Sequence, residues 1–349
     1  MKENVRRHLI AAEAPVREAL LRLDQLAGDA VLFLQDQTDG VMAALTDGDI
    51  RRYLLRGGGV EDAVVNAGFT DFKSVPQGAI DLAAIRRYRN AGLRIVPVLD
   101  GERKVQDIIN FRIRKSLLPL DAVIMAGGLG TRLRPLTLNT PKPLLKVGGK
   151  PIIEHNIDRL RAFGVQNITI SINYLGEQLV DYFGDGSAKG LNIRYVNEEN
   201  PRGTIGAVSD LERIENDNLL VMNSDLLTTI DFEAMFLHHL QHQADMSVAT
   251  VPYEVKVPYG VIEHAGELVT GLREKPTYTY YSNAGIYVLR SIHQRLIPPM
   301  GRFGAPDLME KLYTNGQRVV HYPIMGYWLD IGKHHDFEKA QEDIVKLSL

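Results

Sequence analysis

The sequence predicts an α/β fold for the larger part of the chain and a smaller α+β module before it. Three observations predict this arrangement. Short apolar runs alternate with helical segments after residue 120, the first third contains a weak internal repeat, and a basic stretch that ends in Pro119 separates the two. At 349 residues the chain has room for two or three domains. We therefore expect a boundary after residue 118, which gives domains of residues 1–118 and 119–349.

The repeat relates two segments of the first domain at an offset of 64 residues. Residues 16–20 align with Ile80 and the four residues that follow it, and residues 31–34 align with residues 95–98. Each copy is typical of a helix, a short apolar strand and a turn that begins at Asp36 or Asp100. We expect the two copies to pack together as one module. Chance similarity between two helix–strand units is the alternative.

From residue 121 onward, strands and helices alternate. The predicted strands are residues 121–127, 167–174 and 191–199, and the predicted helices are residues 151–164 and 175–184. This alternation is typical of a parallel, doubly wound sheet. Such a sheet binds its ligand at the carboxyl ends of the strands. Candidate functional residues are therefore those that directly follow a strand.

The composition excludes several classes of function. The chain has no cysteine, which excludes a disulfide scaffold, a thiolate metal site and a thiol nucleophile. With 40 basic and 43 acidic residues, the net charge of −3 gives no reason to expect nucleic-acid binding. No apolar run reaches the ~18 residues of a membrane span, and the N-terminal segment does not resemble a signal peptide. We expect a soluble, cytoplasmic protein with no membrane partner.

A glycine-rich loop follows the first strand of the second domain and leads into Arg132. Glycines let a backbone approach a ligand closely and direct N–H groups towards it. The dinucleotide-binding and P-loop patterns both fail, because Leu133 and Pro151 stand where those patterns need Gly and Ser or Thr. A plain tight turn would not explain Arg132 or a Lys142 held between two prolines, so we predict a phosphate site with fixed cations. The loop consists of Ala126, Gly127, Gly128, Leu129, Gly130 and Thr131.

Two aspartates follow predicted strands. Asp225 ends an apolar run that begins at residue 219, and Asp330 follows Trp328 and Leu329. Mg²⁺ is commonly held by one or two carboxylates while phosphates supply other ligands. A turn or a helix cap is the alternative for either residue alone. Together with the loop upstream, the pair favours a shared Mg²⁺ site.

The segment GGLGTRLRPLTLNTPKPLL closely resembles the signature of sugar-1-phosphate nucleotidylyltransferases, the enzymes that make nucleotide-sugars. The resemblance extends over about residues 120–345 and includes further motifs in the same order. It implies a Rossmann-like, doubly wound mixed sheet of the nucleotide-diphospho-sugar transferase type. The chain departs from the family pattern at Arg202, Ile205 and Ser224, where Leu, Ala and Gly are usual.

The resemblance also implies the reaction and its residues. A nucleoside triphosphate and a sugar 1-phosphate would react with Mg²⁺ as cofactor, and pyrophosphate would leave. The catalytic residues would be Arg132, Lys142, Asp225 and Lys275, and the metal ligands Asp225 and Asp330. The nucleotide would bind the loop from Ala126 to Arg132 together with Asn173, Gly203 and Thr204. The sugar phosphate would bind Glu199, Glu274, Lys275 and Asn283.

Within the family, the sequence most resembles guanylyltransferases that act on glucosamine, mannose or heptose 1-phosphate, so GTP is the expected nucleotide. A uridylyl- or thymidylyltransferase acting on a hexose 1-phosphate is an alternative. A nucleotide-sensing scaffold without catalysis is the alternative from a different class. The set of charged motif residues favours an active enzyme over a scaffold.

The first domain resembles a CBS-domain pair, most closely at VLFLQDQTDGVMAALTDGDIRR. This resemblance implies a regulatory or dimerisation module that binds an adenine or guanine nucleotide and makes the chain a homo-oligomer, most simply a homodimer. Thr46 and Asp49 occupy the positions that hold ribose in nucleotide-binding members. A helix N-cap is the structural alternative for both residues. Asn110 and Ile113 stand at these positions in the second copy, so at most one nucleotide site is intact.

Overall fold

The computed structural model describes residues 3–78 and 81–347. The chain divides into two compact units, Met1–Leu117 and Leu118–Leu349, and the predicted boundary lies one residue beyond this division. Ile80, the first aligned residue of the second repeat copy, lies outside the described residues. None of the helices in the described part of the chain has the length and apolar character that a membrane crossing requires.

The first unit contains two copies of one strand–helix–strand–strand arrangement. Its elements are α1 (Glu3–Arg6), β1 (Leu9–Ala11), α2 (Val16–Leu26), β2 (Leu32–Gln35), β3 (Val41–Leu45), α3 (Asp47–Leu55), β4 (Val75–Pro76), α4 (Leu82–Asn90), β5 (Ile95–Leu99) and β6 (Val105–Asn110). The sheets have the orders β1-β2-β3 and β4-β5-β6. In each sheet the first pair of strands is parallel and the second pair is antiparallel.

The repeat is confirmed in detail by the turns between the antiparallel strands. The carboxylate of Asp36 accepts hydrogen bonds from the backbone N–H groups of Thr38 (2.8 Å) and Gly40 (3.0 Å). Asp100, 64 residues later, accepts from the residues at the equivalent positions, Glu102 and Lys104, both at 2.9 Å. The copies differ after their last strands, because β3 leads into α3 whereas a short turn follows β6. The second copy therefore lacks the final helix of the first.

The second unit has an α/β fold around a seven-stranded sheet. Its elements are β7 (Asp121–Met125), β8 (Lys146–Val147), β9 (Lys150–Pro151), α5 (Ile152–Ala162), β10 (Asn167–Ile172), α6 (Glu177–Phe183), β11 (Asn192–Asn197), β12 (Asn218–Asn223), β13 (Leu226–Thr228), α7 (Phe232–Gln241), β14 (Met246–Lys256), β15 (Val261–Ala265), β16 (Leu268–Arg273), β17 (Thr277–Arg290), α8 (Ala305–Thr314), β18 (Val319–Pro323), β19 (Trp328–Asp330) and α9 (His334–Ile344). All five predicted strands and helices of this unit are confirmed.

The large sheet has the strand order β11-β10-β7-β12-β17-β14-β18. Strands β11, β10, β7 and β12 are parallel, whereas β17 runs antiparallel to both of its neighbours. The sheet is therefore mixed, as the family resemblance implied. The alternation of strands and helices alone indicated a parallel sheet, because it was traced only through the strands that precede β17.

The four parallel strands place their carboxyl ends side by side. The residues that follow β7 and β12 lie at one edge of the sheet, and the backbone N–H of Ser224 donates to the carbonyl of Met125 at 3.1 Å across that edge. The small pair β13–β19 is antiparallel and sets Leu226 opposite Asp330. This register brings Asp330 to the same edge of the large sheet as Asp225.

The buried His239 makes the stability of the second unit depend on pH. It lies on α7, and its Nδ1 is 2.9 Å from the hydroxyl of Ser247 on β14. Burial lowers the pKa of His239 from 6.5 to about 4, so the folded state holds this ring neutral. The unfolded chain binds a proton below pH ~6.5, and stability is lost as the pH falls from there towards 4.

We expect the free energy of unfolding to fall by about 2 kcal/mol more in the wild-type chain than in His239→Gln between about pH 7.5 and about pH 5. Urea unfolding at the two pH values measures both changes. Equal pH dependence in the two proteins would contradict this assignment.

Candidate active site

A cavity of about 440 Å³ opens at the carboxyl edge of the large sheet. The ends of β7 and β12 form its floor, and a loop after β11 forms one wall. Its lining residues are Met125, Ala126, Gly127, Gly128, Leu129, Gly130, Thr131, Arg132, Lys142, Pro143, Glu198, Pro201, Arg202, Gly203, Thr204, Asn223, Ser224, Asp225 and Gly332. The predicted glycine-rich loop and three predicted charged residues thus meet in one place.

The glycines of the loop have different functions. Gly130 has a positive φ of 61°, and a Cβ there would lie only 3.0 Å from Thr137 Cγ2 and 3.1 Å from Lys142 Cβ. At Gly127 a Cβ would lie 3.0 Å from a carboxylate oxygen of Glu198. At Gly128 a Cβ would meet nothing within 4 Å. The loop is therefore packed tightly at its two ends, and its middle leaves room for a ligand against the backbone.

Two cations lie beside the loop. Lys142 is largely buried, with 11% of its side chain exposed, and its ammonium group forms an ion pair with Asp225. The guanidinium of Arg132 lies against Gly332, where a Cβ would be 3.5 Å from both terminal nitrogens. Gly332 lies two residues after Asp330, the last residue of β19, so the absence of a side chain there lets Arg132 approach the carboxylates.

Asp225 and Asp330 form a pair of partly buried carboxylates. The Oδ1 atom of each is buried and has no hydrogen-bond partner within the described part of the chain. Burial and the charge of Asp225 raise the pKa of Asp330, while Lys142 and Arg132 act in the opposite direction. Two like charges in one buried place are stabilised when a cation lies between them.

The carboxylate pair fits a hard divalent cation. No cluster of three or more His, Cys, Asp or Glu side chains able to hold a metal is found among residues 3–78 and 81–347. Mg²⁺ does not require one, because it is commonly held by one or two carboxylates while water and substrate phosphates supply its other ligands. The two oxygens without partners, on Asp225 and Asp330, are ligands of this kind.

Glu198 lines the cavity, whereas the family resemblance implied Glu199. Glu198 is 5% exposed, and its carboxylate accepts hydrogen bonds from the hydroxyl of Ser171 and from the backbone N–H of Arg202 (2.9 Å). Glu199 is exposed and is not among the cavity-lining residues. Successive side chains near the end of an extended strand point to opposite sides. This alternation after β11 is the signal that could have identified Glu198.

Arg202, which departs from the family pattern, connects three segments around the cavity. Its guanidinium pairs with Asp210 and donates to the hydroxyl of Ser209 (2.6 Å) and to the carbonyl of Pro298 (3.1 Å). Its carbonyl accepts from the backbone N–H of Phe303 at 2.8 Å. A leucine at this position could make none of the side-chain hydrogen bonds. The loop that carries Gly203 and Thr204 is therefore held by polar contacts.

Gly203 and Thr204 both line the cavity. Gly203 has a φ of 87°, and a Cβ there would lie 2.7 Å from the carbonyl oxygen of Phe303. The hydroxyl of Thr204 accepts a hydrogen bond from the backbone N–H of Ala305 (2.9 Å), the first residue of α8. Thr204 thus holds the start of a helix in place.

Asn173 lies beside the cavity without lining it. Its amide nitrogen donates to the backbone carbonyl of Glu198, which joins the ends of β10 and β11. A Cβ on Gly127 would lie 3.4 Å from Asn173 Cβ. In this structure Asn173 supports the loop from behind.

The predicted sugar-side residues lie apart from the cavity lining. Glu274 and Lys275 are exposed and lie between β16 and β17. Asn283 accepts hydrogen bonds from the backbone N–H of Gly285 (2.9 Å) and the hydroxyl of Tyr287 (3.0 Å). Gly285 packs against Asn223, which lines the cavity, because a Cβ on Gly285 would lie 2.5 Å from the Asn223 amide nitrogen. Asn283 is therefore near the cavity, and Glu274 and Lys275 do not line it.

In the first unit, Thr46 and Asp49 form a capping box at the start of α3. The backbone N–H and the hydroxyl of Thr46 donate to one carboxylate oxygen of Asp49, at 2.9 and 2.6 Å. The other oxygen of Asp49 pairs with Arg52 at 2.5 Å. Both oxygens of Asp49 therefore have partners within the protein, and its contact with the Thr46 N–H is that of a capping box.

Comparison with known proteins identifies the family of the second unit. The nucleotidyl transferase family matches residues 121–346. The chain belongs to this family. The first unit lies outside the matched region.

One curated relative is the mannose-1-phosphate guanylyltransferase of Mycobacterium tuberculosis, which is 34% identical to the chain over 236 residues. The match covers 65% of this chain and 65% of the relative, so the chain spans less than two thirds of that protein.

Two solved structures resemble the fold. A putative glucose-1-phosphate thymidylyltransferase from Bacillus anthracis has a TM-score of 0.54 at 24% identity, covering 66% of this chain and 97% of that chain. HddC from Yersinia pseudotuberculosis in complex with GMP-PN has a TM-score of 0.50 at 27% identity, covering 64% of this chain and 99% of that chain.

We expect Arg202→Leu to lower the free energy of unfolding by about 2 kcal/mol, because it leaves Ser209, Asp210 and the Pro298 carbonyl without their charged donor. Arg213→Leu is the matched control, since Arg213 is 68% exposed and forms its ion pair with Glu215 at the surface. The control is expected to change stability by less than about 0.5 kcal/mol. Urea unfolding measures both values, and equal effects of the two substitutions would contradict the bridging function of Arg202.

Proposed function

We propose that the chain transfers a nucleotidyl group from a nucleoside triphosphate, with GTP favoured, to a sugar 1-phosphate and releases pyrophosphate. One observation carries this proposal. A glycine-rich loop, two cations and two carboxylates, each with one oxygen that has no partner among the described residues, line or border a single cavity at the carboxyl edge of the sheet. Membership of the nucleotidyl transferase family supports the reaction class.

The names of related proteins support a guanylyltransferase. The M. tuberculosis relative is named a mannose-1-phosphate guanylyltransferase, and HddC was solved with GMP-PN. We propose mannose, glucosamine or heptose 1-phosphate as the acceptor, for synthesis of nucleotide-sugars in the cytoplasm. Transfer from UTP or dTTP to a hexose 1-phosphate is the alternative within the family.

The reaction needs no nucleophile from the protein. A phosphate oxygen of the sugar 1-phosphate attacks the α-phosphorus of the triphosphate in line, and the bond between that phosphorus and the bridging oxygen to the β-phosphate breaks. The electron pair leaves with pyrophosphate. Catalysis then depends on positioning and on stabilising negative charge. When bound, Mg²⁺ would neutralise phosphate charge.

Different residues of the site bind the nucleotide, the metal and the sugar phosphate. Backbone N–H groups of the glycine-rich loop hold the nucleotide, and Arg132 binds the leaving phosphates. Asp225 and Asp330 would hold the metal. Lys142 neutralises Asp225 in the free protein. It is therefore already buried and oriented at the place where phosphate charge arrives. Lys275 and Glu274 would serve the sugar phosphate from the exposed segment between β16 and β17.

We propose that the first unit is a CBS-like regulatory or dimerisation module. Its duplicated strand arrangement supports this proposal. A nucleotide that binds at Thr46 and Asp49 would have to compete with the capping box and with Arg52. Measuring pyrophosphate release with and without AMP, ATP or GMP tests whether the unit responds to nucleotides.

We expect a matrix of four nucleoside triphosphates against mannose, glucosamine, heptose and glucose 1-phosphates to give pyrophosphate fastest with GTP, by at least about tenfold over UTP. Coupled detection of pyrophosphate measures the rates. A preference for UTP or dTTP would contradict the guanylyl assignment. No release across the matrix would favour the alternative of a nucleotide-sensing scaffold.

We expect Asp225→Asn and Asp330→Asn each to lower kcat by about 10²–10³, the size of effect seen when one charge-stabilising contact is removed. Asp181→Asn is the control, because Asp181 is exposed on α6. Mn²⁺ binding, followed by its electron paramagnetic resonance signal, should weaken in both site variants and remain in the control. Near wild-type turnover and Mn²⁺ affinity in Asp225→Asn would contradict the metal assignment.

A further inference from the structure

Strands β13 and β19 form a sheet of their own, separate from the large sheet. They pair antiparallel over three residues each, and this pairing sets Leu226 opposite Asp330. Leu226 directly follows Asp225, so both acids lie at the same end of the strand pair. A two-stranded sheet is only marginally stable alone in water. The pair that carries both acids therefore depends on contacts with other elements.

Helix α5 supplies such contacts through two buried polar side chains. Asn156 is 1% exposed, and its amide nitrogen donates to the carbonyl of Leu226 at 2.8 Å. Arg159 is 6% exposed, and its guanidinium donates to the carbonyl of Ile230, two residues beyond the end of β13. Residues three apart on a helix lie on the same face. One face of α5 therefore holds β13 next to Asp225 and again beyond its other end.

The two threonines at the end of β13 hold the start of β19. The hydroxyl of Thr228 donates to the carbonyl of Tyr327 at 3.0 Å and accepts from the backbone N–H of Ile230 at 3.1 Å. The hydroxyl of Thr229 accepts from the backbone N–H of Tyr327 at 2.8 Å. Tyr327 directly precedes β19. A contact that fixes β13 therefore also fixes the strand that ends in Asp330.

Asn156 and Arg159 carry polar atoms that are unfavourable to bury. The Oδ1 atom of Asn156 and the Nε atom of Arg159 have no hydrogen-bond partner within the described part of the chain. Burial lowers the pKa of Arg159 to about 10, although Phe163 and Phe232 lie within cation–π distance of its guanidinium, at 6.0 and 5.7 Å. Apolar side chains of similar volume would leave no such atoms unpaired. Departures of this kind from what stability favours are typical of functional sites.

We propose that Asn156 and Arg159 are positioning residues for the metal site. They fix β13 to α5, so that Asp225 and Asp330 stay close together before a cation arrives although their like charges repel. Neither residue is among those that line the cavity, so both act through the backbone of β13. Carboxylates that are already in place lose less conformational freedom when a cation binds. This inference rests on the proposed metal site.

Helix α5 also offers a matched control for Asn156. The adjacent residue, His155, is 7% exposed, and its Nε2 donates to the carbonyl of Val147 at 2.9 Å. Asn156→Leu and His155→Leu each remove one buried hydrogen bond from α5 to a backbone carbonyl. Only the carbonyl of Leu226 belongs to the strand pair that carries the acids. We therefore expect the two variants to lose similar amounts of melting temperature but to differ in metal binding.

Mn²⁺ binding to the full-length chain, followed by electron paramagnetic resonance, measures this difference. We expect Asn156→Leu to weaken Mn²⁺ affinity about tenfold and His155→Leu to change it less than about twofold, since residues that orient metal ligands commonly have effects of ten to a hundredfold. With GTP as substrate, kcat of Asn156→Leu should fall about tenfold at saturating Mg²⁺, and KM for GTP should stay unchanged because the glycine-rich loop is not altered. Equal Mn²⁺ affinities in the two variants would overturn the proposal.

Arg159→Met is the second variant, and it decides the question if Asn156→Leu fails to fold. It removes the donor to Ile230, and we expect it to weaken Mn²⁺ affinity as Asn156→Leu does. Arg161→Met is its control, because Arg161 lies on the same helix but is exposed, and its guanidinium donates to the carbonyl of Lys189 at 3.2 Å. The same Mn²⁺ affinity in Arg159→Met and Arg161→Met would contradict the positioning function of Arg159.

Asp225→Asn separates a failure of this inference from a failure of the metal site itself. If Asp225→Asn weakens Mn²⁺ binding while Asn156→Leu and Arg159→Met leave it unchanged, the metal site stands and the positioning inference is overturned. If Asp225→Asn also leaves Mn²⁺ binding unchanged, the metal assignment is wrong and the positioning inference fails with it.

Discussion

The proximity of two carboxylates is the constraint on which the site depends. Asp225 follows a strand in the middle of the large sheet, and Asp330 comes from a short strand near the end of the chain. The antiparallel pairing of β13 with β19 brings them together, and the backbone N–H of Ile331 donates to the carbonyl of Asp225 at 3.0 Å beside it. Their mutual repulsion in a partly buried place must be offset, and Lys142, Arg132 and an incoming cation are the groups that can offset it. The glycines at positions 130 and 332 make room for these cations beside the acids.

Much of the fold and part of the site could be predicted from the sequence. The glycine-rich loop and Asp225 were found because each directly follows an apolar strand, and the carboxyl ends of parallel strands necessarily meet. The antiparallel insertion of β17 could not be predicted from the alternation pattern. It depends on contacts between strands that are distant in sequence. The family motif pointed to Glu199, whereas the side chain that lines the cavity belongs to the preceding residue, Glu198.

Thr46 and Asn173 show a different limit. Each was selected because its residue type and position suit a ligand, and each has a hydrogen-bond partner within the protein. Short polar side chains at strand ends bind backbone groups as readily as they bind ligands. A single sequence does not distinguish the two uses. Conversely, the polar contacts of Arg202 could not be anticipated, because Ser209, Asp210 and Pro298 approach it only in the folded chain.

Strands β14 and β17 remain paired with each other beyond the large sheet, as far as Lys256 and Thr277, and this pairing has a consequence for how such a protein can change. The paired segments connect the cavity edge to Lys275, and each residue of strand contributes about 3.3 Å of length. Removal of one residue from each strand would turn the side chains beyond it to the other face, whereas removal of two would preserve the faces and shorten the pair by about 6.6 Å. The pair is therefore a spacer whose length can change only in steps of two residues if its faces are to be kept. The distance between Lys275 and the sheet can thus change while the cavity at the sheet edge stays unchanged.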